Sequence, residues 1–174
     1  WTNLQKRFQR EGDICYPDLI FLIDQEAKKL ALREGIPKEL IYVIGNPYYK
    51  FLEKWKPKFT RKEFLKSKNI KNNYLLFSPE PFLKFNLEEK YGFNEMDGLD
   101  FIIKAVKKIK SDFILVVKAH PSENKHLLEK KLKSDYKNNY IYLKECDMNH
   151  LIYYAYANIG FFSNSLIESS ILGV

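Results

Sequence analysis

Residues 113–121 read Phe113-Ile114-Leu115-Val116-Val117-Lys118-Ala119-His120-Pro121. Five apolar residues in a row, without polar alternation, describe a strand buried on both faces, as in a parallel sheet. Pro121 has no N–H to give a ladder, so the strand ends before it. Ile114, Val116, Lys118 and His120 share parity, which brings polarity onto one face at the strand's carboxyl edge. Outward from this stretch the rhythm repeats. Tyr74-Leu75-Leu76-Phe77-Ser78 is a strand, and a long connection over 79–97 leads to a helix over 99–109 with Phe101, Ile102, Ala105, Val106 and Ile109 on one stripe. Downstream come a helix over 123–134, a strand over 140–143, a helix over 148–156, a strand over 159–162 and a helix over 165–173. Upstream, residues 18–24 read as a strand, 25–34 as a helix closed by Gly35, and 41–44 as a strand closed by Gly45-Asn46-Pro47. Thr60-Arg61-Lys62-Glu63 is a capping-box pattern that opens a short helix. Strands alternating with helices predict an α/β fold with a Rossmann-like, doubly wound, mostly parallel sheet.

Composition narrows the function classes. The chain has 174 residues, 45% hydrophobic and 29% charged, which fits a globular protein with one sizeable core. No apolar run approaches the roughly 18 residues of a spanning helix. The 29 Lys+Arg against 22 Asp+Glu give a net charge of +7. The basic residues are nearly all Lys; only Arg7, Arg10, Arg33 and Arg61 carry the guanidinium fork that suits nucleic acid. The lysine clusters 104/107/108/110 and 130/131/133 fall on expected helix exteriors and read as solvated faces. The expectation is therefore no nucleic-acid partner, with room for peripheral attraction to an anionic membrane. Cys15 and Cys146 form no C-x-x-C, and His120, His126 and His150 lack metal-ligand spacing, so neither a disulfide framework nor a metal site is expected.

In such a sheet a ligand sits beyond the carboxyl ends of the strands. Lys118 and His120 stand at one such end, and a histidine there can donate a ring N–H to phosphate. Ser163-Asn164-Ser165-Leu166-Ile167-Glu168 follows another strand and opens a helix. Ser165 with Glu168 matches a capping box. The same small hydroxyl residues at a helix start also suit an anion, and Glu168 suits ribose hydroxyls. Gly45 and Asn46 follow a third strand, as a plain turn or as a close backbone approach to a ligand. Glu80 and Glu145, also at strand ends, read as solvated, and Asp97 as a helix-start charge. Neither G-x-x-x-x-G-K-[ST] nor G-x-G-x-x-G occurs, which excludes P-loop and ordinary dinucleotide sites.

Taken in order, these features resemble the nucleotide-donor half of GT-B glycosyltransferases: strand–Gly-Asn-Pro, strand–Ser-Pro-Glu, strand–Lys-Ala-His-Pro, Asn149-His150-Leu151-Ile152-Tyr153-Tyr154-Ala155, strand–Ser-Asn-Ser-x-x-Glu and helix–Leu-Gly. They look most like bacterial surface-polysaccharide enzymes with HP and serine motifs, including capsule, sialyl-type and CDP-glycerol-type transferases. The non-hydrolysing UDP-N-acetylglucosamine 2-epimerases share the architecture. The resemblance implies a nucleotide-activated sugar as donor, a carbohydrate or lipid-linked acceptor, no cofactor and no metal. It implies a cytoplasmic enzyme at the inner face of the membrane, with homo-oligomers allowed. Carried over, His120 with Lys118, and Ser163, Asn164 and Ser165, would hold phosphate, Glu168 the ribose, and Gly45 and Asn46 the interdomain loop. No general base is assigned. The alternatives are a 2-epimerase-like enzyme and a non-catalytic Rossmann-like binding module. The serine motif reads Ser-Asn-Ser, neither an adjacent serine pair nor the epimerase-type Asp-Ser-Gly-Gly, which weakens the epimerase option and leaves the nucleotide unnamed. The expected division is residues 1–40 as the end of an amino-terminal domain and hinge, and 41–174 as a donor-binding domain lacking its last elements.

Overall fold

The computed structural model describes residues 3–109, 112–123, 127–136 and 139–174. It falls into two compact units, residues 1–54 and 55–174. The first holds a small antiparallel hairpin, β1 (Gln9–Arg10) with β2 (Asp13–Ile14). After it come β3 (Ile20–Leu22), α1 (Gln25–Arg33), β4 (Ile41–Val43) and α2 (Pro47–Lys54). β3 and β4 pair in parallel, Ile20 opposite Ile41 and Leu22 opposite Val43. α1 starts at Asp24, whose carboxylate accepts the Ala27 N–H at 2.7 Å. Its Ala27 and Ala31 close over Ile20, Leu22 and Ile41 in a small core. This pairing joins residues 41–43 to the segment before them, and the first compact unit runs to Lys54.

The second unit contains α3 (Arg61–Ser67), β5 (Tyr74–Phe77), α4 (Glu88–Tyr91), α5 (Glu95–Ile109) and β6 (Ile114–Lys118). It continues with α6 (Leu127–Lys131), β7 (Tyr140–Leu143), α7 (Met148–Tyr153), β8 (Ala157–Ile159) and α8 (Asn164–Leu172). All four strands are parallel, in the order β7-β6-β5-β8. The chain winds outward from β5 through β6 to β7 and then crosses back to place β8 on the other side of β5. Alternation along the strands divides the core in two. Leu75, Phe77, Leu115 and Val117 pack under α5 and α6, while Tyr74, Leu76, Ile114 and Val116 pack under α3 and α7. This is the expected Rossmann-like α/β fold.

Several local signals act as read. Thr60 and Glu63 form the reciprocal capping box of α3. α5 opens at Glu95, ahead of the expected 99, through a box the sequence reading did not name: Asn94 Oδ1 accepts the Met96 and Asp97 N–H groups, and Asp97 Oδ2 accepts that of Asn94. The clustered lysines make surface contacts, Lys131 with Asp100 and Asp135, and Lys133 with Glu129. Lys110 and His126 lie outside the described residues, as do residues 124–126 of the expected 123–134 helix. That helix is α6, widened over Leu132–Tyr136 into a π turn.

The last strand is a correction. It spans Ala157–Ile159 rather than 159–162. Its register with β5 sets the end: Leu75 pairs with Ala157, Phe77 with Ile159, and the Ser78 N–H still reaches the Ile159 carbonyl at 2.9 Å. Past that bond the chain turns away, and Phe161 enters an aromatic cluster with Phe93, Phe82 and Phe77 at centroid distances of 4.7, 5.8 and 6.2 Å.

His150 explains how the start of this unit is fastened. Its buried ring lies among Trp55, Phe59 and Phe64. Nε2 accepts the Lys58 N–H at 3.0 Å, and Nδ1 stands 3.1 Å from Asp147 Oδ2 without hydrogen-bond alignment.

Gly98 lies where α5 crosses the aromatic cluster, and a methyl group there would overlap the Phe161 ring. Because neighbouring rings confine Phe161, Gly98→Ala is expected to destabilise the chain by about 1–3 kcal/mol, read by denaturant unfolding. An unchanged midpoint would mean that the ring moves aside freely.

Candidate functional site

The site follows from the strand order. β5 is continued on one side by β6 and on the other by β8, so the connections leave their carboxyl ends in opposite directions and open a crevice. A cavity of about 490 Å³ occupies this crevice, within the usual range for small-molecule sites. Three strand ends line it: Ser78, Pro79 and Glu80 after β5, Lys118, Ala119 and His120 after β6, and Phe162 to Ser165 after β8, with Glu168 one turn further. Cys146 and Met148 close another side. A comparable depression of about 530 Å³, bordered by Arg61, Asn73 and Asp112, lies at the amino ends of the strands. Ligands of this fold do not bind at that end.

His120 is prepared as a donor. The Ser122 N–H bonds to Nδ1 at 3.0 Å, which assigns the ring proton to Nε2. Burial, and then the nearby Lys118 ammonium, hold its pKa below the usual 6.5, with Glu80 pulling the other way. The ring is thus neutral at physiological pH, with an N–H to offer an anion. Lys118 is less free than its charge suggests. Its Nζ donates to the carbonyls of Ala119 and Lys144, both at 2.8 Å, and burial lowers its pKa. One ammonium proton is left for the cavity.

The serine motif is built differently from the expected capping box. Ser163, not Ser165, caps α8: its Oγ accepts the Ser165 N–H at 3.3 Å and the Ser165 hydroxyl at 3.0 Å. Ser165 is already inside the first turn, so Glu168 is not the third helical residue after a Ser165 cap. Glu168 is left half-buried against the cavity, where burial raises its carboxyl above the usual 4.5. Asn164 lies on the cavity side of the same turn. The Ser165 and Leu166 N–H groups are taken up by Ser163 Oγ and by the Ser163 carbonyl, so what the α8 start offers the cavity is the positive end of its dipole beside the Ser163 hydroxyl, an arrangement that suits an anion.

Beneath it is a polar network that sequence reasoning did not name. Asn158 on β8 donates to Ser165 O, Ser165 Oγ and Ser169 Oγ at 3.1, 3.2 and 2.9 Å. Its Oδ1 accepts the Ser78 hydroxyl at 3.1 Å. One amide thus joins the ends of β5 and β8 to the first turn of α8. Glu80, read as solvated, instead accepts the Phe162 N–H at 2.8 Å through Oε1, while Oε2 is buried. An Asn within an apolar strand was the available signal for the network; the misplaced strand 159–162 concealed it.

The structure therefore brings Lys118, His120, Ser163, Asn164, Ser165 and Glu168 to one cavity. Gly45 and Asn46 belong to the first unit. Gly45 takes φ +81°, and Asn46 opens α2, its Oδ1 accepting the Tyr48 N–H at 3.0 Å. They are not among the lining residues of this cavity. Among the described residues no group of three or more His, Cys, Asp or Glu is placed to hold a metal. No helix of the described residues is long and apolar enough to cross a membrane.

No protein-family model matches the chain, and no curated protein matches it. Among solved structures, the UDP-GlcNAc 2-epimerase of Methanocaldococcus jannaschii is similar in fold, with a TM-score of 0.56 and 24% identity over 90% of this chain and 45% of that one. The same enzyme in complex with UDP-GlcNAc and UDP gives a TM-score of 0.59 at 24% identity, over 90% of this chain and 44% of that one. The chain thus spans less than half the length of that enzyme. The likeness establishes the GT-B-like, Rossmann-type fold, and it comes from an epimerase, the reading that the Ser-Asn-Ser motif had placed second.

The Glu168 shift has a definite sign. The folded chain holds the Glu168 proton more tightly than the unfolded chain. Its contribution to stability is therefore full below the unfolded pKa and lost as pH rises through the folded one. Glu168→Gln is expected to raise the melting temperature at pH 8 and to leave it unchanged near pH 4. A gain of equal size at both pH values would assign the effect to packing.

Proposed function

We propose that residues 55–174 bind a nucleotide-activated sugar by its phosphates, and that the chain serves sugar-nucleotide chemistry of the UDP-N-acetylglucosamine 2-epimerase kind. The observation that carries the binding reading is the meeting of the His120 Nε2–H, the Ser163 hydroxyl and the α8 amino end in one cavity at the switch point. These groups are neutral or partial-charge donors held in place before a ligand arrives. They compensate phosphate charge without a metal. Lys118 adds a full charge at the rim, and Glu168 faces the same space as an acceptor or donor for ribose hydroxyls. The fold likeness to an epimerase whose structure contains UDP-GlcNAc and UDP supports uracil as the base and epimerisation over transfer. Glycosyl transfer is the second reading, favoured by the Ser-Asn-Ser motif, which lacks the paired glycines of the epimerase pattern.

Calorimetric titration with UDP, CDP and CMP is expected to show binding, tightest for UDP, and His120→Ala is expected to weaken it about tenfold, the effect of one hydrogen bond to a charged group. A folded chain that binds none of the three would overturn the proposal. The two reactions separate on one assay, made on the longest natural chain containing these residues. An epimerase converts UDP-GlcNAc with no acceptor added, whereas a transferase requires one.

A further inference from the structure

Besides Glu168, the cavity contains one carboxylate that the nucleotide reading leaves without a role. Glu80 follows the end of β5, at the centre of the crevice between the His120 and Ser163 strand ends. It is anchored, because Oε1 holds the Phe162 N–H at 2.8 Å across the switch point. Its other oxygen, Oε2, is closed off from solvent and has no hydrogen-bond partner among the described residues. Buried polar atoms are nearly always partnered, and an orphaned carboxylate oxygen is a costly exception. Glu80 itself lines the cavity, so a turn of its carboxylate brings Oε2 to a ligand that supplies the missing donor.

The sign of the charge limits what that donor belongs to. Phosphate is repelled by a fixed carboxylate, and the α8 start and His120 already provide for it. A sugar offers hydroxyl donors and no charge. Phe162, whose backbone Glu80 grips, is 65% exposed and lines the same cavity, so an apolar ring and the carboxylate share its wall. A carboxylate beside an aromatic ring suits a hydroxyl-rich ring with one apolar face.

We propose that Glu80 is the specificity-determining residue for the sugar, accepting hydroxyls of a neutral sugar and rejecting a sugar that carries its own carboxylate. The ligand class is then a nucleoside diphosphate joined to a neutral hexose or N-acetylhexosamine, as opposed to a uronic or sialic acid. The inference rests on the nucleotide-sugar reading above. Rejection follows from two carboxylates sharing a partly desolvated cleft, and acceptance from a buried acceptor that only a hydroxyl satisfies.

UDP, UDP-glucose and UDP-glucuronate test it, because the two sugars differ only in a hydroxymethyl or carboxylate group at C6. The wild-type chain is expected to bind UDP-glucose at least about tenfold more tightly than UDP-glucuronate. Glu80→Gln keeps an oxygen for the Phe162 N–H and removes the charge. It is expected to bring the two sugars within about threefold of each other while UDP itself stays within about twofold. A wild type that binds both sugars equally overturns the proposal whatever the variant does. So does a variant that keeps the wild-type ratio, or one that loses all three ligands equally, which would make Glu80 a support for the Phe162 loop. A wild type that binds none of the three, UDP included, overturns the nucleotide-sugar reading itself.

Discussion

Strand β5 has hydrogen-bonded neighbours on both edges and packed side chains on both faces, so none of Tyr74–Phe77 is left to water. Every backbone group in that position must be satisfied by β6 or β8. Even the one polar side-chain atom, the Tyr74 hydroxyl, is engaged, donating to the Leu151 carbonyl at 2.6 Å. From this full enclosure the rest follows. β8 pairs beside β5 after a long excursion, α5 and α6 cover one face, α3 and α7 the other, and the connections diverge at the carboxyl ends of β5 and β8. The crevice is the by-product of enclosing the central strand from both sides.

The chemistry of the crevice is held by groups that are themselves held. The Asn158 amide spends both its acceptor and its donors on Ser78, Ser165 and Ser169. The α8 start is therefore fixed to the sheet before any ligand binds, the preorganisation that electrostatic recognition requires. His120 is held in one tautomer by a backbone N–H, and burial, then its cationic neighbour Lys118, keep it neutral. Donors on a rigid frame suit a doubly charged phosphate pair without bringing in an excess of mobile cations. Glu80 breaks this pattern of satisfaction, since one of its oxygens has no partner among the described residues, and it stands at the centre of the cleft.

Much of the frame was legible in the residues. Apolar runs gave β5, β6 and β7, and Thr60 and Gly35 mark helix ends through bonds that span only a few residues. His120 and the serines stood out because a polar residue directly after a buried strand has few other places to be. The errors have physical causes. The β8 segment is short and includes Asn158, so its apolar signal was carried by Phe161 and Phe162, which belong instead to an aromatic cluster and a cavity rim. The Ser165–Glu168 spacing fits a capping box, but Ser163 took the cap, because Ser165 is drawn under the helix by Asn158.

By itself the sequence determined the elements, their alternation and the parallel class of the sheet, since these depend on periodicity and on contacts within a turn or two. Only the tertiary structure decided which strand ends meet. Ser78 bonds to Asn158 across 80 residues, and Glu80 to Phe162 across 82. Parallel strands must be joined by long crossovers, so groups that share a cleft are necessarily far apart in the chain. No local pattern encodes that a carboxylate expected in water would be gripped by a distant backbone N–H.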